Sequence, residues 1–361
     1  MNYEQFTHTI DNDTKKIFLV NMTKEVNYYF SELVHEWIAK YLKQDKRIVI
    51  IVNKKWYASG ILCHNCGHVP QCKNCSVSIS YHTDTNNNPF GLCHICKTQY
   101  DIPKKCPACA SDSIRPYGIG IQQVAEIISK EYGITPVIID SDKVNSPTKI
   151  QKIVGKADIP NTTSKGVMEG SRVILGTSLL TTPIYKQHTD LVIFLNADMG
   201  LTIPDYTAAQ KNFYFLYEAF QKYRKAHFIV QTFNPQQYSI RAACKMNPKI
   251  FTKEDNTYRE KHGYPPFADL CVLLYKHEIE EKLYAHVDKL HKELLYYKEK
   301  YELPNIDIYT TPPLIYKKFG KYRYNIILKG PQLRNFVEII YTKCKLAQKW
   351  FKVDRQADSV V

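Results

Sequence analysis

The chain has 361 residues, 44% hydrophobic and 12% aromatic, which suits two or three globular domains, and no internal repeat or low-complexity segment is seen along it. A formal net charge of +14 points to a polyanionic partner, nucleic acid before anionic membrane, although the 27 tyrosines and many Lys, Asn and Ile residues also suit the drift of an A/T-rich genome. The opening MNYEQFTHTIDND lacks the apolar core of a signal peptide and no apolar run is long enough to span a bilayer, so a reducing cytoplasm is expected and no membrane.

In chain order, KIFLV reads as a strand, and Val26, Phe30, Leu33, Val34, Trp37, Ile38, Tyr41 and Leu42 then recur at helical spacing. RIVIIVN is a continuous apolar run of the kind buried on both faces of a parallel sheet. Beyond the cysteine-rich stretch come a helix at IQQVAEIISKEYG, a strand at TPVIID and a polar helix-and-loop region rich in Lys, Asn and Gly. Further buried strands follow at RVILGTS, DLVIFLNAD and HFIVQTFN. Strands alternating with helices predict a doubly wound α/β domain with the cysteine-rich segment inserted into it. Near Pro248 the character changes: a helix ended by Gly263 and a Pro-Pro turn leads into strand DLCVLLY, a long helix from Glu278 to about Tyr301, and strand IDIYT. Strand YRYNIILKG, helix QLRNFVEIIYTKCKLAQKW and strand FKVD complete a small α+β domain with its helices on one face of a sheet. The expected division is 1–62, start of the α/β domain; 63–115, metal insertion; 116–247, remainder of the α/β domain; and 248–361, C-terminal domain.

Eight cysteines form four Cys-x-x-Cys knuckles: Cys63/Cys66, Cys72/Cys75, Cys93/Cys96 and Cys106/Cys109. Each knuckle aims two thiolates at one ion, so two knuckles complete a tetrahedral all-sulfur shell and four make two structural zinc sites. Disulfides are disfavoured in a reducing compartment, and a redox Cys-x-x-Cys normally occurs once, beside a βαβ unit. The first two knuckles are separated only by Gly67 to Gln71, so nested pairing is the easier geometry. It places Cys72, Cys75, Cys93 and Cys96 on the inner site, and Cys63, Cys66, Cys106 and Cys109 on the outer one, each resembling a zinc ribbon. With eight thiolates available, His64, His68, His82 and His94 are expected beside the shells and not in them. Cys244, Cys271 and Cys344 are expected as buried small hydrophobes.

NKKWYASGILCHNCGHVPQCKNC, CHIC, CPACASDSIRPYGIGIQQV, LNADMGLTIPDYTAAQKNF, VQTFNPQ, HGYPPFADL, FGKYRYNIILKG and the final VDRQADSVV together resemble the PriA family of primosomal replication restart proteins, from about residue 15 onward. Members are superfamily 2 DNA helicases with a zinc module inserted in the second motor lobe. The resemblance therefore implies a second RecA-like helicase lobe with an inserted double zinc-ribbon module, then a small α+β C-terminal domain. The family's N-terminal DNA-binding region and first motor lobe have no counterpart here. No G-x-x-x-x-G-K-[ST] loop is present to cradle nucleotide phosphates, nor an Asp-Glu-x-His box to place magnesium. Gly176 and Thr177 are kept without the Lys-Gly signature that follows them in the family. Glu218 stands where glutamine is expected, and Lys222 and Lys225 where two arginines fall. Lysine keeps the charge but not the planar bidentate clamp on a phosphoryl group, so neither ATP binding nor a catalytic residue is expected.

The expected function is a replication restart protein without a motor of its own. It would bind forked or single-stranded DNA and recruit primosome proteins, single-stranded DNA-binding protein and the replicative helicase or its loader. The alternative is an ATP-dependent 3′-to-5′ helicase whose first motor lobe comes from another chain, which would need the missing arginines. A third reading, a zinc-ribbon interaction protein with no nucleic-acid role, runs against the charge and the resemblance. For DNA, Lys317, Lys318, Lys321, Tyr322 and Arg323, with Tyr324 beside them, interleave cations with aromatics in the pattern that tracks phosphates and stacks bases; a solvated strand with a tyrosine in the core would read the same. Asp198 and Asp205 read as structural acids flanking a loop.

Overall fold

The computed structural model describes residues 2–10, 13–27, 29–52, 60–63, 65–66, 68–74, 79–83, 88–93, 96, 98–117, 121–139, 172–181, 189–198, 200–201, 203, 205–346 and 352–354. The polar region expected after TPVIID lies outside them. Contacts divide the chain into two compact units, one of Met1–Ala58, Ile119–Thr202 and Ala209–Thr252, the other of Ser59–Gly118, Ile203–Ala208 and Lys253–Val361.

The first unit is built on a seven-stranded sheet. From edge to edge its strands are Tyr3–Ile10, Asp13–Asn21, His227–Thr232, Leu191–Phe194, Ile48–Ile51, Val173–Gly176 and Val137–Ile139. All neighbours run parallel except the first pair, a hairpin. Ile48–Ile51 has parallel partners on both edges and is buried on both faces, as its unbroken apolar run requires. Alternate residues face opposite ways. Ile48 and Ile50 pack with Leu33, Val34 and Ile38 of helix Glu32–Lys43 and with Val124 and Ile128 of helix Ile121–Tyr132. Val49 and Ile51 join the cluster holding Phe213, Leu216 and Phe220 of helix Ala208–Lys222 and Ile240 of helix Tyr238–Cys244. This is the mixed α/β fold with helices on both faces that the sequence predicts.

The first helix starts later than its periodicity suggests. Val26 is 97% exposed, because Asn27 accepts hydrogen bonds from the Tyr29 and Phe30 amides and Ser31 then caps the helix at Val34. The Ser31 amide in turn donates to buried Gln231, whose side-chain nitrogen bonds the Tyr29 and Leu195 carbonyls.

Helix Pro248–His262, which leads from the first unit into the second, stops before Gly263, whose φ of +60° is costly for other residues. The C-terminal sheet runs Asp307–Thr311, Lys321–Gly330, Asp269–His277 and Lys352–Asp354, with Lys317–Lys318 paired outside this path to Lys321–Gly330. Helices Glu280–Lys300 and Leu333–Lys343 cover one face, packing Leu283, Val287, Phe336 and Ile340 against Cys271, Leu273, Ile326 and Leu328. The opposite face carries Leu270, Val272 and Ile327 under Tyr206, Tyr264 and Tyr309. The last helix is shorter than the QLRNFVEIIYTKCKLAQKW stretch: it ends at Lys343, and Lys345 has a φ of +52°. Cys244, Cys271 and Cys344 are buried as expected, and burial pushes the Cys244 thiol up. Among the described residues, no helix is long and apolar enough to cross a membrane.

Candidate metal centre and cationic surface

The cysteine-rich segment folds around five antiparallel strands in the order Gln99–Tyr100, Pro89–Leu92, Ser80–Thr83, Gly60–Cys63 and Ile114–Tyr117. Three knuckles close in the same way. The first cysteine's amide donates to the carbonyl five residues on: Cys63 to His68 at 2.9 Å, Cys93 to Thr98 at 3.0 Å, and Cys106 to Ser111 at 2.8 Å. That turn points both sulfurs of a knuckle the same way. Cys63 and Ile114 are Cα partners in adjacent strands, which carries the first knuckle to the last across most of the segment.

The Sγ atoms of Cys63, Cys66, Cys106 and Cys109 all lie within 4.8 Å of one another, and so do those of Cys72, Cys93 and Cys96. Cys63 to Cys109 is 3.6 Å, Cys66 to Cys106 is 3.7 Å and Cys72 to Cys96 is 3.6 Å. A tetrahedral zinc with Zn–S bonds near 2.3 Å requires sulfurs about 3.8 Å apart, so the spacing is that of a metal shell and far longer than a disulfide. Both clusters could hold a metal ion and are compatible with zinc. Cys75, His64 and His94 lie outside the described residues.

The surrounding donors favour thiolates. The Asn65 side chain, with the Ser111 amide, holds the Cys109 thiol at about 6, and the Thr98 hydroxyl does the same for Cys96. Cys66 goes the other way. The His68 backbone pulls it down, but Cys109, desolvation and Cys106 together push it up to about 12. Four thiolates this close repel one another unless a cation lies between them. Tyr100 anchors the second cluster, its hydroxyl 3.0 Å from Cys72 Sγ and accepting from the Lys73 amide. Asn65, Thr98 and Tyr100 were not singled out in the sequence, although each sits within four residues of a knuckle cysteine.

The positions at which the resemblance implies motor motifs make contacts within the fold. A Cβ on Gly176 would come within 2.6 Å of Leu180, and Thr177 is buried. Lys222 pairs with Glu218 at 3.1 Å, one helical turn back, and Lys225 lies 3.8 Å from Asp13. Asp198 accepts from the Thr232 hydroxyl and the Phe233 amide, tying one strand end to the next. Asp205 accepts from the Thr207 amide and hydroxyl at the start of its helix.

The cation and aromatic stretch at 317–324 divides between the two faces of the C-terminal sheet. Lys317 stands opposite Tyr322, with its ammonium 4.3 Å from the ring centroid and bonded to the hydroxyl. Tyr322 and Tyr324 pack towards the helix-covered cluster. Lys318 faces Lys321, and Arg323 faces Lys276 in the neighbouring strand. Between them, Phe319 and Gly320 turn the hairpin at φ +51° and +78°, leaving Phe319 63% exposed. The Gly320 amide donates to the Asn74 carbonyl, beside the second cysteine cluster.

An α/β sheet covered on both faces, a module with two thiolate clusters inserted between its strands in sequence, and a C-terminal α+β sheet make up a chain for which no family model matches. Among characterised proteins it is similar to the replication restart protein PriA of Bacillus subtilis (strain 168), 30% identical over 292 residues, covering 76% of this chain and 34% of that protein. PriA of Borreliella burgdorferi is 30% identical over 323 residues, covering 86% and 45%, and PriA of Chlamydia pneumoniae is 26% identical over 332 residues, covering 87% and 42%. The chain is a PriA-like protein. It spans less than half the length of these relatives.

Proposed function

We propose that the chain acts in replication restart as a DNA-binding platform that recruits primosome proteins and has no helicase activity of its own. In this reading the first unit corresponds to a second RecA-like lobe, the cysteine module is a double zinc ribbon completed by Cys75, and the C-terminal domain carries DNA contacts among Lys317, Lys318, Lys321, Tyr322 and Arg323. Forked or single-stranded DNA is the ligand. Single-stranded DNA-binding protein and the replicative helicase or its loader are the partners. The observation that carries the reading is the pairing of Lys222 with Glu218 on helix Ala208–Lys222, in a chain that is similar to PriA. A motor lobe needs cations held towards phosphate, and this one is held by a carboxylate on its own helix.

The test is ATP hydrolysis and DNA binding measured side by side on the purified chain. Binding should fall steeply with salt, with a log-log slope of roughly −0.7 per phosphate contact on single strands, and hydrolysis should stay at the buffer rate. A DNA-stimulated ATPase that persists through purification would favour the helicase reading. Salt-insensitive or absent DNA binding would favour a protein-only scaffold.

A further inference from the structure

The helix-free face of the C-terminal sheet concentrates positive charge in a way the linear sequence does not show. Lys276 lies directly across from Arg323, and Lys352 is paired with Leu274 on the other edge of the same strand, so its side chain shares the Lys276 face. Lys318 and Lys321, paired with each other, continue that face outward. Directly opposed like charges on a sheet are unfavourable, and this pair has no carboxylate between its members. Glu278 lies 3.5 Å from Lys321, and Asp354 shares the face opposite Val272. Among the described residues, neither Lys276 nor Lys352 makes a hydrogen bond or an ion pair.

Arg323 is the group that turns a charged patch into a seat. One terminal nitrogen donates to the Ile315 carbonyl at 3.2 Å, which fixes the guanidinium plane. Its Nε is buried and has no partner among the described residues. A buried N–H is costly to leave unpaired, and a small outward turn of the side chain would bring the Nε edge of the guanidinium to two oxygens of a phosphate. Lys276 has its ammonium depressed by burial, then by Arg323, Lys352, Lys318 and Lys321, which places all five cations within electrostatic reach of one another.

We infer that Arg323, Lys276 and Lys352 form a discrete seat for one phosphodiester group of a nucleic acid, with Lys318 and Lys321 following the backbone away from it. The inference rests on the DNA-binding reading and refines it. Lys276 and Lys352 join the contact surface, while Lys317 and Tyr322, engaged with each other on the opposite face, leave it.

The experiment titrates a fluorescent oligothymidine with wild type and with Lys276→Gln, Arg323→Lys and Lys292→Gln at several salt concentrations. Lys276→Gln should flatten the log-log salt slope by roughly 0.7. Arg323→Lys keeps the charge and loses the fork, so it should weaken binding roughly three- to tenfold at unchanged slope. Lys292→Gln, on the helical face, should match wild type. Because Lys276 opposes another cation, Lys276→Gln should melt no lower than wild type, whereas a merely structural lysine would lower the melting temperature. Wild-type binding that survives both sheet-face changes intact overturns the seat and leaves DNA binding standing. No DNA binding by wild type overturns the parent reading. In that case, a shift of the Arg323 Nε–H resonance with inorganic phosphate would identify a site for a free oxyanion and would also overturn the nucleic-acid assignment.

Discussion

Cys66 and Cys106 stand forty positions apart in the sequence, yet their sulfurs are 3.7 Å apart, held by strands that bring the first and last knuckles together. This contact groups the first and last knuckles in the outer cluster. It also makes the two clusters separable by mutation.

The purified, reduced chain should carry two zinc ions, one per cluster. Cys106→Ser should release one ion and leave the Cys72 cluster filled, and Cys72→Ser should do the reverse. Elemental analysis of each variant, together with the cobalt-thiolate absorption of the substituted protein, checks both. Loss of both ions from either single change would show that the two shells are not independent.

Gln231 is completely buried, and its side chain satisfies the Ser31 amide and the Tyr29 and Leu195 carbonyls. Gln231→Leu fills a similar volume but leaves those groups unpaired, so it should cost about 3 kcal/mol. Urea unfolding of the variant beside wild type measures it. A loss below about 1 kcal/mol would mean that water replaces the amide.

Lys15 is buried, with its ammonium donating to the Phe220 carbonyl in the last turn of a helix and lying over the Phe228 ring. Burial, and then Arg224, lower its pKa from 10.5 to about 8. The unfolded chain therefore binds more protons than the folded one between about pH 8 and 10.5, and in that window this lysine makes stability rise with pH. The rise should be missing from Lys15→Met. Subtracting the variant's unfolding free energies from those of wild type across the window isolates it.

Gly176→Ala would set a methyl 2.6 Å from Leu180 and 3.0 Å from the Ile139 carbonyl of the adjacent strand. The backbone oxygen cannot step aside, so overpacking should cost about 1–3 kcal/mol. A thermal melt shows it as a lowered midpoint. Because the position does not touch the C-terminal cations in this reading, DNA affinity should be unchanged at temperatures where the variant is folded.

The parallel strands were legible because burial on both faces writes an unbroken apolar run, as at Ile48–Ile51 and Leu191–Phe194. Tyr3–Ile10 was not, since an edge strand with one half-buried face can be written with Glu, Gln, Thr and His. Helix Ala208–Lys222 also went unread, because its many aromatics obscure a single apolar stripe: Phe213, Leu216 and Phe220 turn inward while Tyr214 stays 47% exposed. The knuckles announced themselves by spacing, a purely local signal. The Lys276 and Arg323 pairing could not, because it depends on how two strands register and no local pattern encodes that.

The pairing of Asp13–Asn21 with His227–Thr232 has a consequence for synthesis. A nascent chain leaving the ribosome displays this apolar strand, and then Ile48–Ile51, long before the parallel neighbours of either have been made. The knuckles between them can meanwhile close on an ion through contacts nearer in sequence. A metal-bound module would thus form while the surrounding sheet is still waiting for its later strands, and the interval in which those strands stay uncovered is set by the pace of translation.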